Sequence, residues 1–123
     1  AARATVNNAF YTSPEIAMCI NNALVQFGFH GGNILEPSMG IGNFFGSMPT
    51  PLQRSNLYGV ELDSITGRIA KQLYPNANIE ITGFEKAELP DSFFDLAIGN
   101  VPFGNYKLSE KRYDTQGFLI HDQ

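Results

Sequence analysis

Asn33-Ile34-Leu35-Glu36-Pro37-Ser38-Met39-Gly40-Ile41-Gly42-Asn43-Phe44 is the stretch whose reading decides the fold. Asn33 to Glu36 has the composition of a short buried strand, and the glycines at 40 and 42 form a turn directly after it. Paired glycines at the end of a buried strand let the backbone approach a ligand closely and take torsions that other residues avoid. Two phosphate-binding readings fail on the residues. A P-loop requires a closing Gly-Lys-Ser/Thr, which is absent, and the dinucleotide pattern G-x-G-x-x-G is broken because Gly46 follows Gly42 by four positions. Glu36 precedes the glycines where a pyrophosphate would be repelled. A cationic or zwitterionic ligand fits the stretch better.

Working outward, helical and strand-like segments alternate. Ser13-Pro14-Glu15 opens a helix: Ser caps, Pro suits the first turn, and Glu favours the positive end of the dipole. Ile16, Ile20, Leu24 and Phe27 then recur at helical spacing until Gly28 and the Gly31-Gly32 pair. A second strand is read at Asn56 to Glu61, a helix capped by Asp63 and carrying Ile65, Ile69 and Leu73 up to Pro75, a third strand at 78–82 and a fourth at 95–100. Strands alternating with helices argue for an open α/β fold with a mostly parallel sheet of about four strands flanked by helices. In such sheets ligands sit at the carboxyl ends of the strands, near the switch in strand order. Glu36, Glu61, Gly83-Phe84 and Asn100 all fall at or just past a strand end.

The 123 residues amount to one domain at most, with 43% hydrophobic and 16% charged residues, the balance of a folded globule. Eight basic against 12 acidic residues leave a net charge of −4, and Arg3, Lys107, Lys111 and Arg112 are too sparse to clamp a nucleic-acid backbone. A single cysteine, Cys19, excludes an internal disulfide and a multi-cysteine zinc site, and is expected in the core of the first helix. His30 and His121 have no ligand-spaced neighbours, so no metal site is expected. No run reaches the roughly 20 apolar residues of a membrane helix, and a cytoplasmic setting is expected. Residues 1–9 read as a tag remnant or flexible start, 10–32 as a leading helix, 33–104 as the ligand-binding and chemical core, and 105–123 as a loop and a truncated helix. The apolar ending Phe118-Leu119-Ile120 reads as an element cut short, hence a fragment of a longer polypeptide.

Each strand end has a chemical and a plainer reading. Glu61 offers a carboxylate able to accept from both hydroxyls of a ribose, while Asp63 reads first as a helix cap. Phe84 is placed to pack against a purine, or is one more core phenylalanine; Glu85 is a further carboxylate or a solvated helix start. Asn100-Val101-Pro102-Phe103-Gly104 combines an amide oxygen and a turn carbonyl, able to accept both hydrogens of an amino group, with an aromatic ring to stack on.

At five places in order the sequence resembles the S-adenosylmethionine-dependent adenine-N6 DNA methyltransferases. Tyr11-Thr12-Ser13-Pro14 is similar to the segment that serves the methionine end of the cofactor site. Glu36-Pro37-x-x-Gly40-x-Gly42-x-Phe44 is similar to the cofactor motif, Glu61 to the ribose-binding acid and Phe84 to the aromatic beside the cofactor's adenine. Asn100-Val101-Pro102-Phe103 resembles the catalytic Asn-Pro-Pro-Tyr/Phe motif. The form Gly-Asn-Val-Pro-Phe-Gly is nearest to methylase-like regions joined to large helicase-type proteins of phages and mobile elements. The resemblance spans roughly residues 10–121 and implies a Rossmann-like methyltransferase fold of which this chain is the cofactor-binding portion. It implies S-adenosylmethionine as cofactor, with Tyr11, Thr12, Glu36, Pro37, Gly40, Gly42, Phe44, Glu61 and Phe84 around it. It also implies that DNA is engaged mostly through parts outside this fragment.

The implied chemistry is direct transfer onto an adenine flipped from the duplex and stacked on Phe103, its amine held by Asn100 Oδ1 and the Val101 carbonyl. Two positions depart from the family pattern. Val101 replaces the first proline of the catalytic motif, keeping the carbonyl but losing the fixed φ. Gly83 stands where an Asp often binds the cofactor's adenine amine, leaving Glu85 or a main-chain group to substitute. These departures favour a rival reading, a catalytically inactive methyltransferase-like module within a larger DNA-processing protein. A nicotinamide-dependent oxidoreductase is disfavoured by the glycine spacing.

Overall fold

The computed structural model describes residues 11–100 together with two short strands further on, Lys107–Leu108 and Ile120–His121. Within 11–100, helix α1 (Pro14–Gln26) leads into β1 (Asn33–Glu36), the short helix α2 (Asn43–Gly46) and a single 3-10 turn at Thr50–Leu52. Then follow β2 (Asn56–Glu61), α3 (Ser64–Leu73), β3 (Asn78–Ile81), a 3-10 turn at Phe84–Lys86 and β4 (Leu96–Ala97). The four strands form one parallel sheet in the order β3-β2-β1-β4. The expected α/β architecture is therefore observed, and three of the four strands start at the residues read from sequence. The third strand ends one residue short of the 78–82 expected, and β4 is much shorter than 95–100, although its backbone continues in register, with Ile98 N–H donating to the Leu35 carbonyl at 2.9 Å.

Local chemistry explains the helix starts. Ser13 Oγ accepts from Ile16 N–H at 3.3 Å, with Pro14 at the first helical position. Asp63 Oδ2 accepts from both the backbone N–H and the hydroxyl of Thr66, at 2.8 and 2.7 Å, and these bonds hold its carboxyl below the usual range.

The core lies beneath α1 and α2 and against β1 and β2. Ile34, Leu52 and Val60 are its largest fully buried apolar side chains, with Ala17, Met39, Phe44, Phe45, Met48, Ala70 and Ile98 around them. The buried faces of the helices differ from the apolar stripes of the sequence. In α1 the buried positions are Ala17 and Asn21, while Ile16, Ile20 and Phe27 are exposed and only Leu24 of that stripe packs on the core. In α3 Gly67 and Ala70 are buried and Ile65, Ile69 and Leu73 face outward. Close approach is the reason: a Cβ on Gly67 would lie 2.7 Å from Ile81 Cγ1, so only the small-residue face can lie flat on the strands. Cys19 is likewise exposed rather than in the core.

Outside 11–100, Lys107–Leu108 and Ile120–His121 pair antiparallel, Lys107 opposite His121 and Leu108 opposite Ile120. Where a loop and a truncated helix were expected over 105–123, these four residues are strands. They belong to a second compact unit.

Candidate functional site

The strand order reverses between β1 and β4, and the sequence-predicted residues gather at the carboxyl ends of the sheet there, as expected for an open parallel sheet. Glu36 closes β1 and Glu61 closes the neighbouring β2. Gly40 and Gly42 lie in the turn after β1, and Gly99-Asn100 follow β4. Gly99 lies against Pro37 and Glu36: a Cβ there would sit 3.5 Å from Pro37 Cδ and 3.6 Å from Glu36 Cγ. Asn100 is thus carried to the same end of the sheet as Glu36.

The turn uses its glycines as the sequence requires. Gly40 has φ +56° and Gly42 φ +80°, a region costly for residues with a Cβ. Met39 N–H donates to the Val60 carbonyl at 2.9 Å, so the turn is anchored on β2 as well as β1. The Tyr11 ring lies over Gly40, where a Cβ would come within 3.1 Å of it. The neighbouring Thr12 carbonyl accepts from Asn43 Nδ2 at 2.7 Å. The segment before α1 is in this way tied to the glycine turn, Tyr11 reaching Gly40 across 29 positions.

Two carboxylates dominate the electrostatics. Glu36 is 3% exposed, and burial pushes its carboxyl up to about 9, the nearby Glu61 adding to the rise. Glu61 is half-buried; desolvation raises its carboxyl, opposed by backbone N–H groups of Asp63, Gly40 and Leu62. Each keeps one buried oxygen, Glu36 Oε2 and Glu61 Oε2, with no partner. Buried polar atoms are ordinarily paired, and an unpaired one costs about 1–3 kcal/mol. Two such oxygens flanking a glycine turn would suit a ligand that brings hydrogen-bond donors or positive charge.

The other predicted residues fall out unequally. Phe84 is 46% exposed in the turn after β3, an aromatic face open to stacking rather than a core residue. Glu85 folds its carboxylate back into the space that a side chain at Gly83 would take, so this acid occupies the position where the family pattern has an Asp. Phe44, directly after the turn, is 3% exposed and belongs to the core cluster with Ile34, Met39 and Phe45. Val101, Pro102 and Phe103 lie outside the described residues.

Sequence reasoning missed the residues that brace the turn from behind. Fully buried Asn21 donates from Nδ2 to the Phe44 carbonyl at 2.9 Å and to Ser47 Oγ at 3.3 Å. Ser47 Oγ in turn donates to the Asn43 carbonyl at 2.7 Å. Tyr74 donates to the Gly42 carbonyl at 2.8 Å. The only signal available was an Asn within the apolar periodicity of α1, and it carries no partner by itself.

Topology and site together define a Rossmann-like α/β domain with a polar ligand site at the carboxyl ends of its strands. Two solved structures share this fold: the plantazolicin methyltransferase BpumL with a monoazolic and with a pentazolic desmethylPZN analogue, each also in complex with SAH. Each matches with a TM-score of 0.54 and 17% identity, over 68% of this chain and 33% of that one. The chain thus has a Rossmann-like α/β fold, which these methyltransferases share. In sequence, 97 residues (77% of the chain) are 35% identical to the Defense against restriction protein B of Escherichia phage P1. The matched stretch spans 4% of that protein's length. No protein-family model matches the chain. No helix among the described residues is long and apolar enough to cross a membrane.

Proposed function

We propose that these residues are the cofactor-binding portion of an S-adenosylmethionine-dependent methyltransferase, acting within a larger cytoplasmic polypeptide on the exocyclic amine of adenine in DNA. The observation that carries the reading is the pair of orphaned carboxylate oxygens, Glu36 Oε2 and Glu61 Oε2, on adjacent parallel strands beside a positive-φ glycine turn. S-adenosylmethionine brings an ammonium, a sulfonium and two ribose hydroxyls, donors for the Glu61 carboxylate and cationic charge able to displace the Glu36 proton, and carries no phosphate to be repelled. Under this reading Glu61 takes the ribose hydroxyls and Glu36 faces the cationic end with Tyr11 and Thr12. Phe84 stacks on the adenine, and Glu85 accepts from its amine in place of an Asp at 83. Bound cofactor supplies the methyl group; Asn100 Oδ1 and the Val101 carbonyl accept from the target amine, drawing its lone pair out of the ring, and Phe103 stacks on the base. The restriction-defence name of the phage relative supports a DNA target, whereas the methyltransferases of similar fold are named for a peptide product.

Calorimetric titration with S-adenosylhomocysteine tests the cofactor site, and binding of NAD instead would overturn it. In the full-length protein, Asn100→Ala is expected to abolish methyl transfer to adenine-containing duplex while sparing cofactor binding. A second reading, a binding module without catalysis, is favoured by Val101 in place of the motif's first proline; it predicts cofactor binding with no transfer from the intact protein.

A further inference from the structure

Tyr74, the residue that closes α3, touches the glycine turn at Gly42. Its hydroxyl donates to the Gly42 carbonyl at 2.8 Å, the same carbonyl that accepts from Gly46 N–H at 2.9 Å. Its ring meets Phe45 edge-on, with centroids 5.8 Å apart at 88°. A Cβ on Gly42 would lie 2.5 Å from Tyr74 Cε2, and one on Gly46 would lie 2.7 Å from Tyr74 Oη. Gly46, whose spacing breaks the dinucleotide pattern, thus has a role of its own: it makes room for this hydroxyl. Among the described residues, no other hydrogen bond ties α3 to the turn.

We propose that Tyr74 is a positioning residue, whose ring and hydroxyl together fix the Gly42 peptide and thereby hold the Gly40–Gly42 turn in its ligand-accepting form. Three features select this role over plain packing. The hydroxyl saturates a carbonyl that already serves the first turn of α2, so it fixes the orientation of the peptide, not merely its depth. The residue arrives from α3, which begins three residues after Glu61, so one helix links the acid of β2 to the turn after β1. Burial, with the nearby Glu36 carboxylate, raises the phenol, which keeps it a neutral donor throughout the physiological range. The consequence for ligand affinity rests on the function proposed above; the consequence for the turn does not.

The test is Tyr74→Phe, which keeps the ring on Phe45 and removes only the hydroxyl. Amide exchange is expected to quicken at Gly42 and Gly46, whose N–H groups are held by the turn, and to stay unchanged at Ile98, held by the sheet. S-adenosylhomocysteine affinity is expected to fall up to about tenfold, the worth of one hydrogen bond, at temperatures where both proteins are folded. Unchanged exchange at Gly42 and Gly46 would overturn the proposal, and so would equal acceleration at Ile98, which marks a global effect. Should Tyr74→Phe be too unstable to compare, Tyr74→His, which keeps a ring donor, must restore slow exchange at Gly46 relative to Tyr74→Leu; equal exchange in those two variants overturns the proposal. Failure of the unsubstituted protein to bind S-adenosylhomocysteine would refute the function and leave the exchange result to decide Tyr74 alone.

Discussion

Replacing Glu36 with Gln should stabilise this fold at neutral pH. The folded protein holds the Glu36 proton up to about pH 9, whereas the unfolded chain surrenders it near 4.5, the ordinary value. Between those limits the folded state binds more protons than the unfolded one, so stability falls as pH rises. At about 1.4 kcal/mol per pH unit, the loss at pH 7 relative to pH 4.5 is on the order of 3 kcal/mol, large against the 5–15 kcal/mol of a typical domain. Glutamine has nearly the same shape, donates and accepts, and does not titrate. Glu36→Gln should therefore match the unsubstituted protein near pH 4.5 and exceed it by about 3 kcal/mol at pH 7, with a shallower slope above. Some slope persists, because burial also raises Glu61 and its contribution has the same sign. Urea unfolding at pH 5, 6, 7 and 8 and constant ionic strength, followed by circular dichroism, measures this directly, with an unchanged m-value required for the comparison. A stability that is flat or rising from pH 5 to 8 in the unsubstituted protein would refute the reasoning, as would parallel slopes in the two proteins.

Two other perturbations follow from the same geometry. If a cationic ligand displaces the Glu36 proton, titration with S-adenosylhomocysteine at pH 7 should release up to about one proton per ligand, read as a dependence of the binding heat on buffer ionisation enthalpy, with affinity rising toward pH 9; heats independent of buffer would exclude the displacement. Gly42→Ala should destabilise by more than the roughly 1–2 kcal/mol of left-handed strain alone, because its Cβ meets the Tyr74 ring. Gly28→Ala, at φ +100° with nothing within 4 Å, should cost only the strain, and equal losses in thermal unfolding would contradict the contact.

Much of this molecule was legible along the chain. Asn33–Glu36, Asn56–Glu61 and the third strand's start at Asn78 follow from runs of strand-forming residues bounded by turn formers, and the caps at Ser13 and Asp63 act on N–H groups three residues away. Such signals are local, so the sequence carries them whole. The glycines at 40 and 42, each at positive φ, and the placement of Glu36, Glu61 and Asn100 at one edge also follow from sequence, because parallel strands joined by helices send every strand's end to the same side. Which face of a helix turns inward was decided otherwise. Ile16, Ile20, Ile65 and Ile69 have the periodicity of a buried stripe, yet Ala17, Asn21, Gly67 and Ala70 are buried: α3 approaches β3 so closely at Gly67 that a Cβ there would meet Ile81, and Asn21 is turned inward by its bonds to the Phe44 carbonyl and Ser47. Tertiary structure alone made Phe44 a core residue, set Glu85 in the place of a side chain at Gly83, and brought Tyr74 to Gly42 across 32 positions. It also left two carboxylate oxygens buried without partners. Sequence names the acids at the strand ends; only the fold removes them from water, and that desolvation turns two ordinary glutamates into a site that calls for a cation.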